Sequence, residues 1–244
     1  MSRSRNFSFS EHKEHRQKIL FVFLCLVLIY IFYVLLSTYL FQAVYVRSSA
    51  MEPEISSGDA LVFSPAAKKA LLNGNETEDD LKKKRGSIVL IEPLYEEEYP
   101  WYVDFANSIV SFLTLQRIDL TVYWDKIGTT ASIRRVLAFP GEEVYMKDFI
   151  LYVKPVGSEF FLTEFELSDI DYNPLIEPRP ENWGDSLPWS GNLDAMVLGE
   201  DQYFVLCDNR TSGTDSRFTG PVTRERIKGG ALFRYWPLGK FSGV

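Results

Sequence analysis

Residues 132–153 read SIRRVLAFPGEEVYMKDFILYV, and the fold class turns on how this stretch is parsed. Ser132–Ala138 has the composition of a strand. Pro140-Gly141 then makes a turn, since proline fixes its own φ and glycine accepts backbone angles that other residues avoid. Beyond it, Glu143–Lys147 and Phe149–Val153 are two short runs spaced as a hairpin. Working outward, the pattern repeats. Ala60–Phe63 follows a Ser-Gly-Asp turn at 57–59, and Ser87–Pro93 alternates as a half-buried strand does. Tyr203–Cys207 and Gly230–Trp236 complete the set. With no sustained helical heptads between them, short strands punctuated by Gly and Pro specify an all-β domain.

Two stretches interrupt the strands and read as insertions, near 95–125 and 163–200. In the first, Phe105, Ile109, Phe112, Leu113 and Ile118 come close to helical spacing, which predicts one amphipathic helix. With Trp101 and Tyr102 ahead of them, the segment is too short to span a bilayer yet apolar enough to lie in its interface. Packing against the sheet satisfies the same period equally well. The second stretch is acidic and carries Pro174, Pro178, Pro180 and Pro188, which predicts a long loop. Residues 64–86 are polar, and the basic run Lys82-Lys83-Lys84-Arg85 reads as a solvated loop. Asn75-Glu76-Thr77 matches a glycosylation sequon, a short pattern that carries weight only in a eukaryotic secretory context.

Ahead of the strands, residues 19–43 (ILFVFLCLVLIYIFYVLLSTYLFQA) contain no charge. At about 1.5 Å per residue such a helix exceeds the roughly 30 Å of a hydrocarbon core, so 19–43 is expected as a transmembrane helix. The run is too long for the apolar region of a cleaved signal peptide, although Ser48-Ser49-Ala50 offers small residues where cleavage would need them. Residues 1–18 carry Arg3, Arg5, Lys13, Arg16 and Lys18 against Glu11 and Glu14. By the positive-inside rule this is a cytoplasmic tail, and 44–244 is an extracytoplasmic domain on a single-pass protein of the cell membrane. The whole chain has 26 basic and 33 acidic residues, which leaves 21 against 31 beyond the tail. Nucleic acid is not an expected partner, because phosphate binding needs a basic face. Cys25 and Cys207 lie in regions too different to suggest a disulfide, and His12 and His15 show no metal-ligand spacing. Neither a metal nor any other cofactor is expected.

Four segments, taken in order, resemble the type I signal peptidases (leader peptidases). Ser48-Ser49-Ala50-Met51-Glu52-Pro53 with Gly58-Asp59 is similar to the family's Ser-x-Ser-Met-x-Pro and Gly-Asp. Arg85-Gly86-Ser87-Ile88-Val89 is similar to Arg-Gly-Asp-Ile-Val. Arg134-Arg135-Val136-Leu137-Ala138-Phe139-Pro140-Gly141-Glu142 is similar to Lys-Arg-Val-x-Gly-x-Pro-Gly-Asp. The most specific is the fourth, Asp208-Asn209-Arg210-Thr211-Ser212-Gly213-Thr214-Asp215-Ser216-Arg217 followed by Gly220, with Asp-Asn-Arg and Asp-Ser-Arg in register. Gly229 through Pro237 is also similar. The resemblance covers the anchor and most of 44–240 outside the insertions, and implies an antiparallel β domain behind one membrane helix.

In that family a serine attacks the peptide bond and a lysine takes its proton. A serine hydroxyl is a poor nucleophile without an adjacent base, and a lysine serves as base only where its surroundings keep the amine neutral. Here the nucleophile position is Ala50, and the base position is Arg134, whose guanidinium stays protonated. The serine that orients the lysine is Gly213, and the glycine opening the fourth segment is Cys207. The resemblance implies that Ser48 lends a hydroxyl to an oxyanion hole, that Met51, Pro53, Ile88, Val89 and Leu137 flank bound substrate, and that Arg135, Asp208, Asp215, Ser216 and Arg217 support the site. Ser49 neighbours the nucleophile position, but alternation along extended backbone points it the other way. Lys126 and Lys147 lie near the third segment, not at the base position.

The sequence therefore implies a catalytically inactive member of the signal peptidase I family that retains a groove for extended peptides. Its expected partners are the membrane and either signal-peptide-bearing preproteins or an active signal peptidase paralogue. An active signal peptidase with altered chemistry and a structural scaffold of a membrane complex are the alternatives.

Overall fold

The structure, a computed structural model, describes residues 9–72, 77–93, 98–114, 116, 118–121, 131–176, 191–211 and 213–243. Asn75 and Glu76 of the sequon, Lys126, Pro178, Pro180, Pro188 and residues 1–8 of the basic tail lie outside them. The chain divides into two compact units, Met1–Leu40 and Phe41–Val244.

The first unit is one helix, α1 (Phe9–Tyr39). From Ile19 onward its side chains are apolar all round, with no stripe to bury. The 23 residues His15–Ser37 are long and apolar enough to cross a membrane. The helix takes in part of the stretch expected as a tail and stops short of Ala43. Gln42 and Ala43 instead pair with Phe63 and Val62 in the first strand of the second unit.

In the second unit the elements run β1 (Gln42–Tyr45), β2 (Ala60–Ser64), α2 (Pro65–Leu71), α3 (Glu78–Lys84), β3 (Ile88–Ile91), α4 (Trp101–Leu113), β4 (Ser132–Ala138), β5 (Glu143–Lys147), β6 (Ile150–Lys154), β7 (Leu162–Thr163), β8 (Leu193–Val197), β9 (Gln202–Leu206), α5 (Ser216–Thr219), β10 (Val222–Thr223), β11 (Ile227–Trp236) and β12 (Ser242–Gly243). Among the described residues the strands form two antiparallel sheets. The larger has the order β1-β2-β11-β3-β4-β9-β10 with β12 on β11, and the smaller the order β7-β6-β5-β8.

Strand alternation sorts the core. On β3, Val89 and Ile91 pack with Val136, Val205 and Ile227 under Leu71 and Leu72, at the end of α2. Ile88 and Leu90 point the other way, into a cluster with Leu61, Phe63, Ile133, Met51 and Ile55. Both faces of the central strands are thus buried, which is why they read as near-continuous apolar runs. A third cluster joins the sheets: Val144, Met146, Leu151 and Val153 meet Leu137, Phe204 and Leu206.

Two expectations are corrected. The polar stretch 64–86 holds two short helices, because it carries local start signals. Ser64 caps α2 through the Ala66 N–H (3.2 Å) with Pro65 in its first turn, and Thr77 and Asp80 form a reciprocal capping box on α3. Lys82–Lys84 are the last turn of α3, where cations complement the helix dipole. Likewise, 163–200 is not one long loop. Leu167 and Tyr172 are buried in the core that joins the sheets, and Leu193–Val197 adds a strand beside β5. The helix expected in 95–125 is α4.

Candidate functional site

The site begins at the tight turn that leaves β1. Ala50 and Met51 sit buried in it, 2% and 1% exposed, while Ser48 and Pro53 are exposed. Met51 and Ile55 bury their side chains in the core, and the Ile55 N–H donates to the Met51 carbonyl (2.8 Å), which fixes the turn. At its far end the Asp59 carboxylate accepts from the Ser56 N–H (3.0 Å) and from Arg234 Nη1 on β11 (2.8 Å).

The four recognisable segments are stitched to one another by buried charges and main-chain bonds. Arg85, at the end of α3, forms a two-point pair with Glu142: Nη2 to Oε1 at 2.6 Å and Nη1 to Oε2 at 3.0 Å. This joins the second segment to the third. Arg135 on β4 grips Asp208 through Nε (2.7 Å) and Nη2 (2.5 Å), joining the third to the fourth. Its guanidinium carbon lies 4.3 Å from the Tyr172 ring centroid. The Asn209 N–H donates to the Ala50 carbonyl (2.9 Å), joining the fourth to the first. Within the fourth, Asp215 caps α5, accepts from the Cys207 N–H (3.0 Å) and pairs with Arg217 Nε (2.8 Å) and Nη2 (2.7 Å). Burial disfavours its carboxylate, but Arg217 and the Cys207 and Arg217 N–H groups outweigh burial and hold its pKa below the usual range. Ser216 Oγ accepts from the Val205 N–H (3.0 Å).

Arg210 and Glu164 form another fully buried pair (2.6 Å), with the Tyr172 hydroxyl donating to the same carboxylate oxygen (2.5 Å). Glu164 and Tyr172 were missed by sequence reasoning. A glutamate in an acidic, proline-bearing stretch carries no sign of burial, and only the partner brought in from Arg210 accounts for it. Arg85 was masked in the same way, as the last member of an apparently solvated basic run.

The positions at which the family pattern breaks lie together. Gly213 has φ +90°, and a Cβ there would stand 2.9 Å from Ala50 Cβ, 3.0 Å from Cys207 Sγ and 3.7 Å from Arg134 Nη2. The buried side chains of Ala50, Arg134 and Cys207 thus converge on Gly213, which is itself exposed. Arg134 does not turn to Asp208 or Asp215. Its Nε and Nη2 donate to the Thr214 carbonyl (2.9 and 2.6 Å), and its Nη1 donates to the Ile133 carbonyl (2.5 Å). Every one of these contacts uses the guanidinium as donor, the only role it has. Burial pushes the Cys207 thiol up to about 12, against the pull of Arg134, and nearby Asp215 adds to the rise. At neutral pH the thiol is protonated and unreactive.

Beside this point a cleft of about 290 Å³ opens between the β1 segment, Gln116 and Asp119, and the start of β4. Ser48 and Met51 line it, together with Val44, Val46, Ala131 and Ile133. The other residues expected to flank substrate do not. Ile88, Val89 and Leu137 are core side chains at 3%, 0% and 0% exposure, because both faces of β3 and β4 are covered. Pro53 is exposed on the turn and is not among the cleft-lining residues. The wall falls to Ile133, next to Arg134, and to Val44 and Val46, which the sequence places in or just beyond an apolar span. Arg134 itself is absent from the lining, so its bulk does not cross the cleft.

The family model described as signal peptidase, peptidase S26, matches residues 17–236. Probable signal peptidase I-2 of Synechocystis sp. is 24% identical over 201 residues, covering 82% of this chain and 66% of that protein. Signal peptidase I T of Bacillus subtilis is 28% identical over 138 residues, covering 55% and 64%. The chloroplastic thylakoidal processing peptidase 1 of Arabidopsis thaliana is 30% identical over 110 residues, covering 45% and 26%. The chain thus spans just under two thirds of the length of the first two. A crystal structure of a signal peptidase I from Enterococcus faecalis aligns at 24% identity with a TM-score of 0.27, over 41% of this chain and 82% of that one. That superposition is too loose to add to the family match.

Proposed function

The chain belongs to the signal peptidase, peptidase S26, family, and on that premise we propose that it is a membrane-anchored member that holds signal peptides without cutting them. One observation supports the reading: where Ala50, Arg134 and Cys207 converge on Gly213, the described residues offer no hydroxyl and no basic side chain able to accept a proton. Hydrolysis by a serine route needs an oxygen to attack and a neutral group to take its proton. Ala50 supplies no oxygen. Arg134 cannot accept a proton, and its N–H groups are committed to carbonyls. Cys207 is the sole other nucleophilic side chain among the described residues at that point, and its thiol is held protonated.

Binding is a separate matter, since ground-state contacts do not depend on the reacting atoms. β1 is an edge strand of the larger sheet, and its residues form one cleft wall. An extended peptide can add there by main-chain hydrogen bonds, with small apolar side chains seated against Val44, Ala131 and Ile133. Helix α1 is the anchor, and the basic residues in and ahead of its first turns favour a cytoplasmic N-terminus with the β domain outside.

The test uses full-length protein in detergent with a labelled signal peptide carrying an Ala-x-Ala site. Binding without cleavage is expected, and Ala131→Trp, on the half-buried cleft wall, should abolish it. Cleavage at an ordinary enzymatic rate sinks the inactive reading; equal binding by wild type and Ala131→Trp sinks the groove.

A further inference from the structure

Helix α4 is built the wrong way round for a helix packed on a soluble domain. At 3.6 residues per turn, Trp101, Phe112, Phe105, Ile109, Tyr102 and Leu113 fall within an arc of about 120°. That arc faces outward. Trp101 is 78% exposed, Tyr102 59%, Phe105 54% and Leu113 72%, with Ile109 and Phe112 half-buried between them. Part of the polar face turns inward: Ser111 is buried and its Oγ donates to the Ile118 carbonyl (3.4 Å), and Asn107 Oδ1 accepts from the Leu120 N–H (2.7 Å), while Asp104 is exposed. Among the described residues, the protein thus meets much of the hydrophilic side of the helix with its own chain and leaves Trp101, Tyr102, Phe105 and Leu113 exposed on the hydrophobic side.

We propose that α4 is a second lipid contact, lying in the membrane interface with this apolar face in the headgroup–acyl boundary. Three features select a lipid surface as the occupant. Gln116 and Asp119, which follow α4, line one cleft with β1, and β1 begins at Gln42, directly after the helix long and apolar enough to cross a membrane ends at Tyr39. The face is headed by Trp101 and Tyr102, whose rings favour the interface of a bilayer. Finally, α4 contains Asp104 and no basic residue, so insertion of apolar surface rather than attraction to anionic headgroups must hold it. The chemistry fits a zwitterionic bilayer as well as an anionic one.

The proposal rests on the anchored reading, and the experiment separates the two. Full-length protein is reconstituted into zwitterionic and anionic vesicles. Resistance to alkaline extraction reports the anchor alone. The Trp101 signal is the fluorescence difference between wild type and Trp101→Phe, quenched by lipids brominated at shallow or deep acyl positions and by aqueous acrylamide. Stronger quenching by shallow than by deep bromines, little affected by headgroup charge and lost in Phe105→Ser/Leu113→Ser, supports the proposal. Because those two residues point outward, an unchanged circular dichroism spectrum should accompany the loss. Accessibility to acrylamide without bromolipid quenching in an extraction-resistant protein overturns it. So does protection from both quenchers that tracks the protein-to-lipid ratio, which would mean that a second copy covers α4. Undiminished lipid quenching in the double variant also overturns it.

Discussion

Replacing Gly213 by serine returns the family's residue to its position, and the structure says what that costs. At φ +90° a side chain is strained, on the order of 1–3 kcal/mol. Its Cβ would also stand 3.0 Å from Cys207 Sγ and 2.9 Å from Ala50 Cβ, closer than such atoms pack. Overpacking of a well-filled site adds about 1–3 kcal/mol. The sulfur is the part of this clash that a second substitution can remove. In a Cys207→Gly background the strain and the Ala50 contact remain while the sulfur contact is gone, so the serine should cost less there. A coupling of about 1–2 kcal/mol is expected, within the span usual for touching residues. At about 2–4 °C per kcal/mol for a chain of this size, the thermal midpoints of the four proteins in the cycle should depart measurably from additivity. The measurement is a thermal unfolding series on full-length protein in one detergent. Additivity to within about 0.3 kcal/mol would refute the argument that the cysteine occupies the serine's place. The same geometry bears on reactivation. Ala50→Ser with Arg134→Lys alone would leave the new ammonium without an orienting hydroxyl, and adding Gly213→Ser requires Cys207→Gly.

Arg85→Met should destabilise the domain by about 3–5 kcal/mol, since it strands the buried Glu142 carboxylate; Arg85→Met/Glu142→Gln should recover much of that, and equal midpoints for the single and double variants would contradict the pairing. For Asp215, whose pKa is depressed in the fold, the stabilisation is complete above the unfolded value of about 3.9 and lost as pH falls through the folded value. The midpoint of wild type should therefore drop more steeply than that of Asp215→Asn between about pH 4 and 2, and parallel acid limbs for the two proteins would remove Asp215 from the account.

Much of the larger sheet was legible because its strands announce themselves locally. Ala60–Phe63, Ser132–Ala138 and Tyr203–Cys207 are apolar runs bounded by turn residues, and they match β2, β4 and β9 to within a residue. The fourth segment was legible for another reason: Asp-Asn-Arg and Asp-Ser-Arg survive in the order of the letters, although only Asp215 pairs with the arginine beside it, Arg217, while Asp208 pairs with the distant Arg135. What stayed hidden depends on distant partners. Burial of Arg85 and Glu164 is decided by Glu142 and Arg210, and no local window contains both members of either pair. Periodicity found the apolar stripe on α4 but could not say which way it faces, because a moment has no knowledge of what lies beneath the helix. That Ile88, Val89 and Leu137 are core side chains was likewise hidden, because the helices and second sheet that cover both faces of their strands are brought in from elsewhere in the chain.

The sheet order also sets when this domain can come into being. β11 lies between β2 and β3, with Ala231 opposite Phe63 and Gly230 opposite Val89, so the centre of the sheet is made of residues synthesised long after its neighbours. At roughly 5–20 residues per second, a ribosome needs on the order of ten seconds or more to pass from β2 to β11. Until then β2 and β3 each have an open edge, a template for pairing with any other extended chain. Closure of a loop this long also makes the assembly slow. A nascent chain of this topology therefore carries unpaired strand edges throughout that interval, and a fragment ending before β11 is an aggregation hazard rather than a smaller version of the domain.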